Sequence, residues 1–259
     1  MMTQAKSERL TENQSCEGVL DFESLWHLYT NWFEAPNIRR GGWSGVIRQA
    51  VNTNTGAVDA FIKRQENHLS KTWLHPFKGE ATFSKEYRNI LRLTKKNIPT
   101  LKPLFFEQQG MKAILVTKAL NDYQPLDIAS RKLDRLQKRA LLTQVAKNLR
   151  LMHQYHFQNN CLYPKHIFVK YVNGEWRVRF IDLEKLKWQL FKTRAIHRDL
   201  ITLYRHSVGN WSEKDRIFFF RTYQQEEKLS PRSKKLWRKL QIKNATKSKI
   251  VFNQLTAPN

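Results

Sequence analysis

Residues 166–182 contain two β-patterned runs, HIFVKY and EWRVRFID, around the dipeptide Asn173-Gly174. Two such arms of nearly equal length joined by Asn-Gly form a tight hairpin, because the central residues of a type I′ turn both need positive φ. Antiparallel arms return the chain to its start, so His166 at the foot of one arm is predicted to stand beside Asp182 at the foot of the other. The surroundings of this hairpin are helical in pattern. From Leu133 to His153, residues Leu142, Val145, Ala146, Leu149, Met152 and His153 share one helical face, and from about Lys187 onward the chain again reads as helices.

The first half has a different rhythm. Phe22, Leu25, Trp26 and Tyr29 predict an amphipathic helix over 21–33 that covers the first lobe. RRGGWSGVIRQAV, an NTNTG turn and AVDAFIKRQ predict two or three antiparallel strands. Residues 82–97 predict a helix with Phe83, Tyr87, Ile90, Leu91 and Thr94 on its stripe, stopped by Pro99, and KPLFFEQQG with MKAILVTKAL predicts two more strands. The expectation is an α+β, bilobal chain: residues 1–120 form a five-stranded antiparallel sheet with one helix, and residues 121–259 form a mainly helical lobe holding the hairpin. That is the order of elements in protein kinases.

Phosphoryl transfer needs a loop over the phosphates, a lysine for their charge, a partner for that lysine and metal ligands near the γ-phosphate. Candidates occur in that order. Gly42, Ser44 and Gly45, in Gly41-Gly42-Trp43-Ser44-Gly45-Val46 between the first two strands, are candidate phosphate-loop residues, since glycines allow close backbone approach. Ala60-Phe61-Ile62-Lys63 resembles the kinase V-A-I-K strand. Glu86 on the next helix is the expected partner of Lys63, with Glu80 as its rival. Asp182, closing WRVRFID, takes the place of the D-F-G aspartate that binds magnesium, and His166 takes the place of the metal-binding asparagine.

Composition narrows the partners. Lysine and arginine number 46 against 22 aspartate and glutamate, a formal charge of +24, which attracts nucleic acid, anionic membrane surfaces and phosphorylated lipid alike. The two cysteines, Cys16 and Cys161, have no zinc-like spacing. The N-terminal stretch is polar and no run approaches the ~20 apolar residues of a membrane span. The expected setting is the cytoplasm, at most peripheral to the inner membrane. A tail with eight basic residues from Arg232 to Lys249 carries Trp237 and Phe252, which raises nucleic-acid binding as a further, less favoured reading.

Cys161-Leu162-Tyr163-Pro164-Lys165-His166-Ile167-Phe168-Val169, followed by Ile181-Asp182-Leu183-Glu184-Lys185, resembles the bacterial lipopolysaccharide kinase family, the Kdo/WaaP group, most closely its InaA-type branch. The likeness runs from about Trp43 to Tyr204. It implies an ATP- and Mg2+-dependent kinase phosphorylating a heptose or Kdo-type sugar hydroxyl of the lipopolysaccharide inner core. Lipopolysaccharide core, or another acidic glycolipid at the inner membrane, would be the partner. Carried over, Lys63 would hold the α- and β-phosphates, Glu86 would orient it, and His166 and Asp182 would bind magnesium, with Glu184 as a further acidic candidate. One departure stands out: five residues before His166, where the pattern H-R-D-x-x-x-x-N has its catalytic aspartate, this chain has Cys161. A thiol is a poor proton acceptor, so a catalytically impaired, ligand-binding or stress-response kinase-like protein is the alternative. A literal His197-Arg198-Asp199-Leu200 follows the metal aspartate instead of preceding it, so Asp199 is expected to be structural and to brace the Cys161 loop.

Overall fold

The structure, a computed structural model, describes residues 20–29, 31–39, 41–70 and 79–241. Cys16, Phe252 and the tail beyond residue 241 lie outside the described residues.

The first lobe is an antiparallel sheet of β1 (Glu34–Arg39), β2 (Gly42–Thr53), β3 (Gly56–Glu66), β4 (Pro103–Gln109) and β5 (Lys112–Lys118), in the order β1-β2-β3-β5-β4. Residues directly opposite in such a ladder point to the same face, and the face alternates along each strand. Val46 and Leu115 flank Lys63 on one face, while Gly45 and Arg64 lie on the other.

That other face is closed by α1 (Phe22–Trp26), whose Phe22 and Leu25 are buried with Ile47, Ile62 and Val116. The helix is shorter than predicted. Asp21 caps its start by accepting from the Ser24 amide at 2.9 Å. At its other end the buried Arg64 guanidinium donates to the carbonyls of Leu25, Trp26 and Leu28, so these acceptors are satisfied without a further turn. Tyr29, predicted on the apolar stripe, is fully exposed.

Helix α2 (Thr82–Thr94) lies across the Lys63 face of the sheet, with Phe83, Ile90 and Leu93 in a core that also holds Leu115 and the apolar residues of the second lobe. Its stripe is rotated from the prediction: Leu91 and Thr94 are exposed, whereas Thr82, Glu86 and Asn89 are buried. Apolar counting misses this because the buried polar residues all have partners, described below, and so occupy places the pattern assigns to hydrophobes.

The second lobe is built on α3 (Arg135–Gln154), with the predicted face buried from Leu142 to His153. A capping box of Asp134 and Gln137 starts this helix. The hairpin is formed by β6 (Ile167–Val172) and β7 (Glu175–Phe180), in register from Ile167↔Phe180 to Val172↔Glu175, with φ of 51° at Asn173 and 81° at Gly174. Helices α4 (Lys192–His206), α5 (Glu213–Gln224) and a helical segment over 231–241 complete it. The foot of β7 is latched to the end of the α2 connection: the Phe180 amide donates to Pro99 at 3.1 Å, and Thr100 Oγ1 donates to the Phe180 carbonyl at 2.9 Å. A small sheet lobe carrying α1 and α2 against a helical lobe with a hairpin is the protein-kinase-like α+β layout that the element order predicts. Among the described residues no helix is long and apolar enough to cross a membrane.

Candidate functional site

Lys63 Nζ lies 2.7 and 2.8 Å from the two carboxylate oxygens of Glu86. The glutamate side chain is 3% exposed and the lysine 19%, so the carboxylate is the inner member of the pair and the ammonium the more open one. The Nζ also lies 5.7 Å from the centre of the Phe83 ring, a distance at which a cation is attracted to the ring face. The rival Glu80 is engaged elsewhere, with Arg88 at 2.6 Å.

Two residues that sequence reasoning passed over fix this pair. Gln65, two positions along β3 and on the same face, is fully buried; its Oε1 accepts from the Phe83 amide at 2.7 Å and its Nε2 donates to the His68 carbonyl at 2.8 Å. It caps the first turn of α2, which has no side-chain cap from its own N-cap residue, and thereby sets Glu86 against Lys63. Asn89, one turn after Glu86, donates through Nδ2 to the carbonyls of Leu183 and Leu186 at 2.8 and 3.0 Å. The i, i+3 spacing of Glu86 and Asn89 places both on one helix face. That face joins the lysine strand to the turn that follows Asp182.

Asp182 itself has φ 57° and ψ 58°, a left-handed conformation that aspartate tolerates better than most residues. It turns the chain out of the hairpin into a tight 3-10 turn, Leu183–Lys185. The hairpin foot is closed by the Ile181 amide donating to the His166 carbonyl at 3.1 Å. His166 Nδ1 is 3.2 Å from an Asp182 carboxylate oxygen and 3.1 Å from the Cys161 carbonyl. Both neighbours are acceptors, so Nδ1 carries a proton. Ligation by this histidine is thereby restricted to Nε2, on the side of the ring away from Asp182.

The donor set suits magnesium only in part. Asp182 and Glu184, with side chains 33% and 29% exposed, offer oxygen, but among the described residues no three histidine, cysteine, aspartate or glutamate side chains converge. An ion held by one or two carboxylates and completed by nucleotide phosphates fits this arrangement; an all-protein cage does not.

The loop carrying Cys161 is held more tightly than its triplet suggests. Asp199, on α4 and fully buried, accepts from the Asn159 and Asn160 amides at 2.6 and 3.0 Å, and from His153 Nε2 at 3.1 Å. His153 Nδ1 in turn accepts from the Tyr223 hydroxyl at 2.8 Å, and burial raises the pKa of that phenol, so it stays protonated. Asn159 Oδ1 accepts from the Cys161 amide at 2.9 Å, and Asn160, at φ 64°, donates to the Lys185 carbonyl at 2.7 Å. Asp199 thus occupies the bracing position the sequence reading gave it.

The Cys161 thiol is buried, and burial, followed by the nearby Asp182 charge, pushes its pKa up to about 11. It is a neutral S–H at physiological pH.

The glycine segment is placed differently from expectation. Gly42, Ser44 and Gly45 lie within β2, where Gly42 pairs with β1, Gly45 with β3 and Ser44 with both, and the connection itself is the turn at Gly41, with φ 75°. A side chain at Gly42 would overlap the Asn67 backbone carbonyl, and one at Gly45 would overlap the Trp32 ring on the face away from Lys63. Packing accounts for both. Ser44, opposite Gln65, shares the Lys63 face.

Comparison with known proteins places these features in a lineage. The description of the lipopolysaccharide kinase (Kdo/WaaP) family matches residues 23–223. Protein InaA of Escherichia coli (strain K12) is 31% identical over 196 residues, covering 72% of this chain and 88% of that protein. An aminoglycoside-3'-phosphotransferase of type VIII superposes with a TM-score of 0.49 at 14% identity, over 82% of this chain and 92% of that one. The matched span contains Lys63, Glu86, Cys161, His166 and Asp182, and the chain belongs to the lipopolysaccharide kinase (Kdo/WaaP) family.

Proposed function

We propose that the protein transfers the γ-phosphate of ATP, with magnesium, to a heptose or Kdo-type sugar hydroxyl of the lipopolysaccharide inner core. The observation that carries this reading is the double attachment of α2, to Lys63 through Glu86 and to the turn after Asp182 through Asn89. It supports a lysine and a metal-binding carboxylate held in one cleft, as phosphoryl transfer requires.

In this reading Lys63 receives the α- and β-phosphates while Glu86 keeps its ammonium in place. Gly41 lets the β1–β2 turn reach over the phosphates, with Gly42, Ser44 and Gly45 as its strand support. Asp182 would present a carboxylate to the metal, with Glu184 near it, and His166, whose Nδ1 bonds the Cys161 carbonyl and lies 3.2 Å from Asp182, would flank that carboxylate. Magnesium supplies charge neutralisation on the β- and γ-phosphates. A loose transition state draws most of its stabilisation from positioning and charge and less from a base, which accommodates the neutral Cys161. The +24 charge draws an acidic glycolipid acceptor to the protein.

Purified protein is expected to transfer labelled phosphate from ATP to deacylated lipopolysaccharide core only with magnesium, and Lys63→Met or Asp182→Ala is expected to lower transfer at least about 10²-fold. Cys161 favours a second reading, a kinase-like protein that binds nucleotide without turning it over. Nucleotide binding with no transfer, and unchanged lipopolysaccharide phosphate by mass spectrometry when the gene is removed, would select that second reading.

A further inference from the structure

From Lys185 to Arg198 the chain has five lysines and arginines and no aspartate or glutamate. Within this segment Trp188, Leu190 and Phe191 are 55%, 64% and 68% exposed. Scattered exposed hydrophobes need no explanation, but a contiguous group marks an interaction surface. Tyr155, also exposed, belongs to the same patch, since its neighbour His156 stacks on Trp188 with centroids 5.7 Å apart. Lys96 adds a cation 4.8 Å from the Tyr155 ring.

The segment's backbone is pinned. Lys187 and Trp188 pair with Gln158 and Phe157, the Gln189 amide donates to the His156 carbonyl at 2.8 Å, and His156 Nδ1 donates to the carbonyls of Gln189 and Leu190 at 3.0 and 3.1 Å. The apolar side chains are therefore presented outward from a fixed base. Immediately afterwards the chain lines a cavity of about 630 Å³ with Arg150, Lys192, Arg194, Arg232, Lys235 and Lys239 on its walls. The carboxylate among its lining residues, Glu226, is already bonded to Ser230 and Ser233.

We propose that this face docks on an anionic phospholipid membrane, with Trp188, Leu190 and Phe191 entering the interfacial layer while Lys192, Arg194 and the cavity beside them receive headgroup phosphates. Apolar insertion and attraction of cations to anionic lipid reinforce each other, and neither alone anchors a protein firmly. A single-stranded nucleic acid is the rival polyanion. It fits less well, because one face of Trp188 is occupied by His156 and Leu190 offers no ring on which a base can stack.

Flotation of the full chain, without nucleotide, tests this independently of any kinase activity. Vesicles of phosphatidylcholine alone are compared with equimolar phosphatidylcholine and phosphatidylglycerol, at low and high salt. The protein is expected to float with the anionic vesicles only, and less at high salt. Each cation near the surface strengthens binding about fivefold, so Lys192→Glu/Arg194→Glu should weaken vesicle affinity at least tenfold, roughly, and Leu190→Ser/Phe191→Ser should do the same with an unchanged thermal midpoint. Should the apolar variant fail to fold, the charge variant decides alone. Equal flotation with neutral vesicles, full binding by a folded variant, or a single-stranded oligonucleotide that binds more tightly and displaces the vesicles would overturn the proposal.

Discussion

The two walls of the candidate site, the sheet with α2 on one side and the Cys161 loop of the helical lobe on the other, are both braced but armed differently. On the sheet side, Gln65 and Asn89 position a helix so that Glu86 meets Lys63, and the result is a full charge facing the opening. On the helical side, Asp199 gathers three N–H donors to hold Asn159 and Asn160, and the residue so carefully placed is a neutral thiol. Scaffolding and chemistry are thus separable within one fold. A loop can be fixed by a buried carboxylate whatever stands at its reactive position, because the bonds that fix it go to backbone amides and are indifferent to the side chain two residues on.

The largest effect is expected at Asp199. Asp199→Ala leaves two amides and the His153 Nε2–H without partners in a fully buried place, at about 1–3 kcal/mol for each unsatisfied group. We expect a loss of about 3–5 kcal/mol in urea denaturation, and a smaller loss for Asp199→Asn, which keeps one acceptor oxygen. A loss below about 1 kcal/mol would mean the loop is held by something else, and the parity of the two walls would fail.

On the sheet side, Lys63→Met should lower any phosphoryl transfer by about 10²–10³-fold, the range seen when one stabilising charge or donor is removed from a transition state. It also strands Glu86, buried and unpaired. Removing one partner of a buried pair costs more than replacing both, so the double variant Lys63→Met/Glu86→Gln should be more stable than Lys63→Met alone. Equal stabilities would show that the carboxylate reaches water once the lysine is gone, and that the pair is a surface feature.

What the sequence discloses differs between the walls for the same physical reason. Asn173-Gly174 fixes a hairpin by local backbone geometry, and a hairpin of matched arms carries His166 to Asp182 without any knowledge of the rest of the chain. Lys63 is legible from its strand and Glu86 from the following helix. Gln65, Asn89 and Tyr223 are not, since each acts through a partner remote in sequence: Gln65 on Phe83, Asn89 on Leu183, and Tyr223 on His153. A trace was available for two of them, in the i+2 spacing of Gln65 from Lys63 and the i+3 spacing of Asn89 from Glu86. The α2 stripe departs from the apolar pattern for the same reason, because buried polar residues with distant partners mimic a solvent face. The glycines of β2 are ambiguous in another way. Closeness to Asn67 and Trp32 requires glycine there, and nothing local distinguishes that need from a phosphate loop.

If the helical wall lacks only a base, Cys161→Asp should raise transfer by about 10²-fold, within the range that a positioned general base contributes. The new carboxylate would stand near Asp182 and Glu184, which lie close enough to raise the pKa of the present thiol, so its benefit should grow with magnesium concentration. A rate unchanged by this substitution would show that the wall is limited by geometry after all.

The last and smallest effect concerns the thiol itself and is read without substrate, in a Cys16→Ser background. The thiolate is the species that alkylates. With the pKa raised to about 11, its fraction increases about tenfold for each pH unit until that value is reached, so the rate of iodoacetamide labelling should still be climbing between pH 9 and pH 10. An ordinary cysteine, with pKa about 8.5, has levelled off by then. Burial slows labelling at every pH by limiting access, but it does not move the midpoint, so the shape of the profile isolates the electrostatic part. The sign follows from the surroundings: exclusion of water and the Asp182 and Glu184 carboxylates disfavour the anion more than Lys185 favours it. A plateau near pH 8.5 would mean that these influences cancel and that a substantial thiolate exists at neutral pH. The helical wall would then carry a charge of its own, and the contrast between the two walls would disappear.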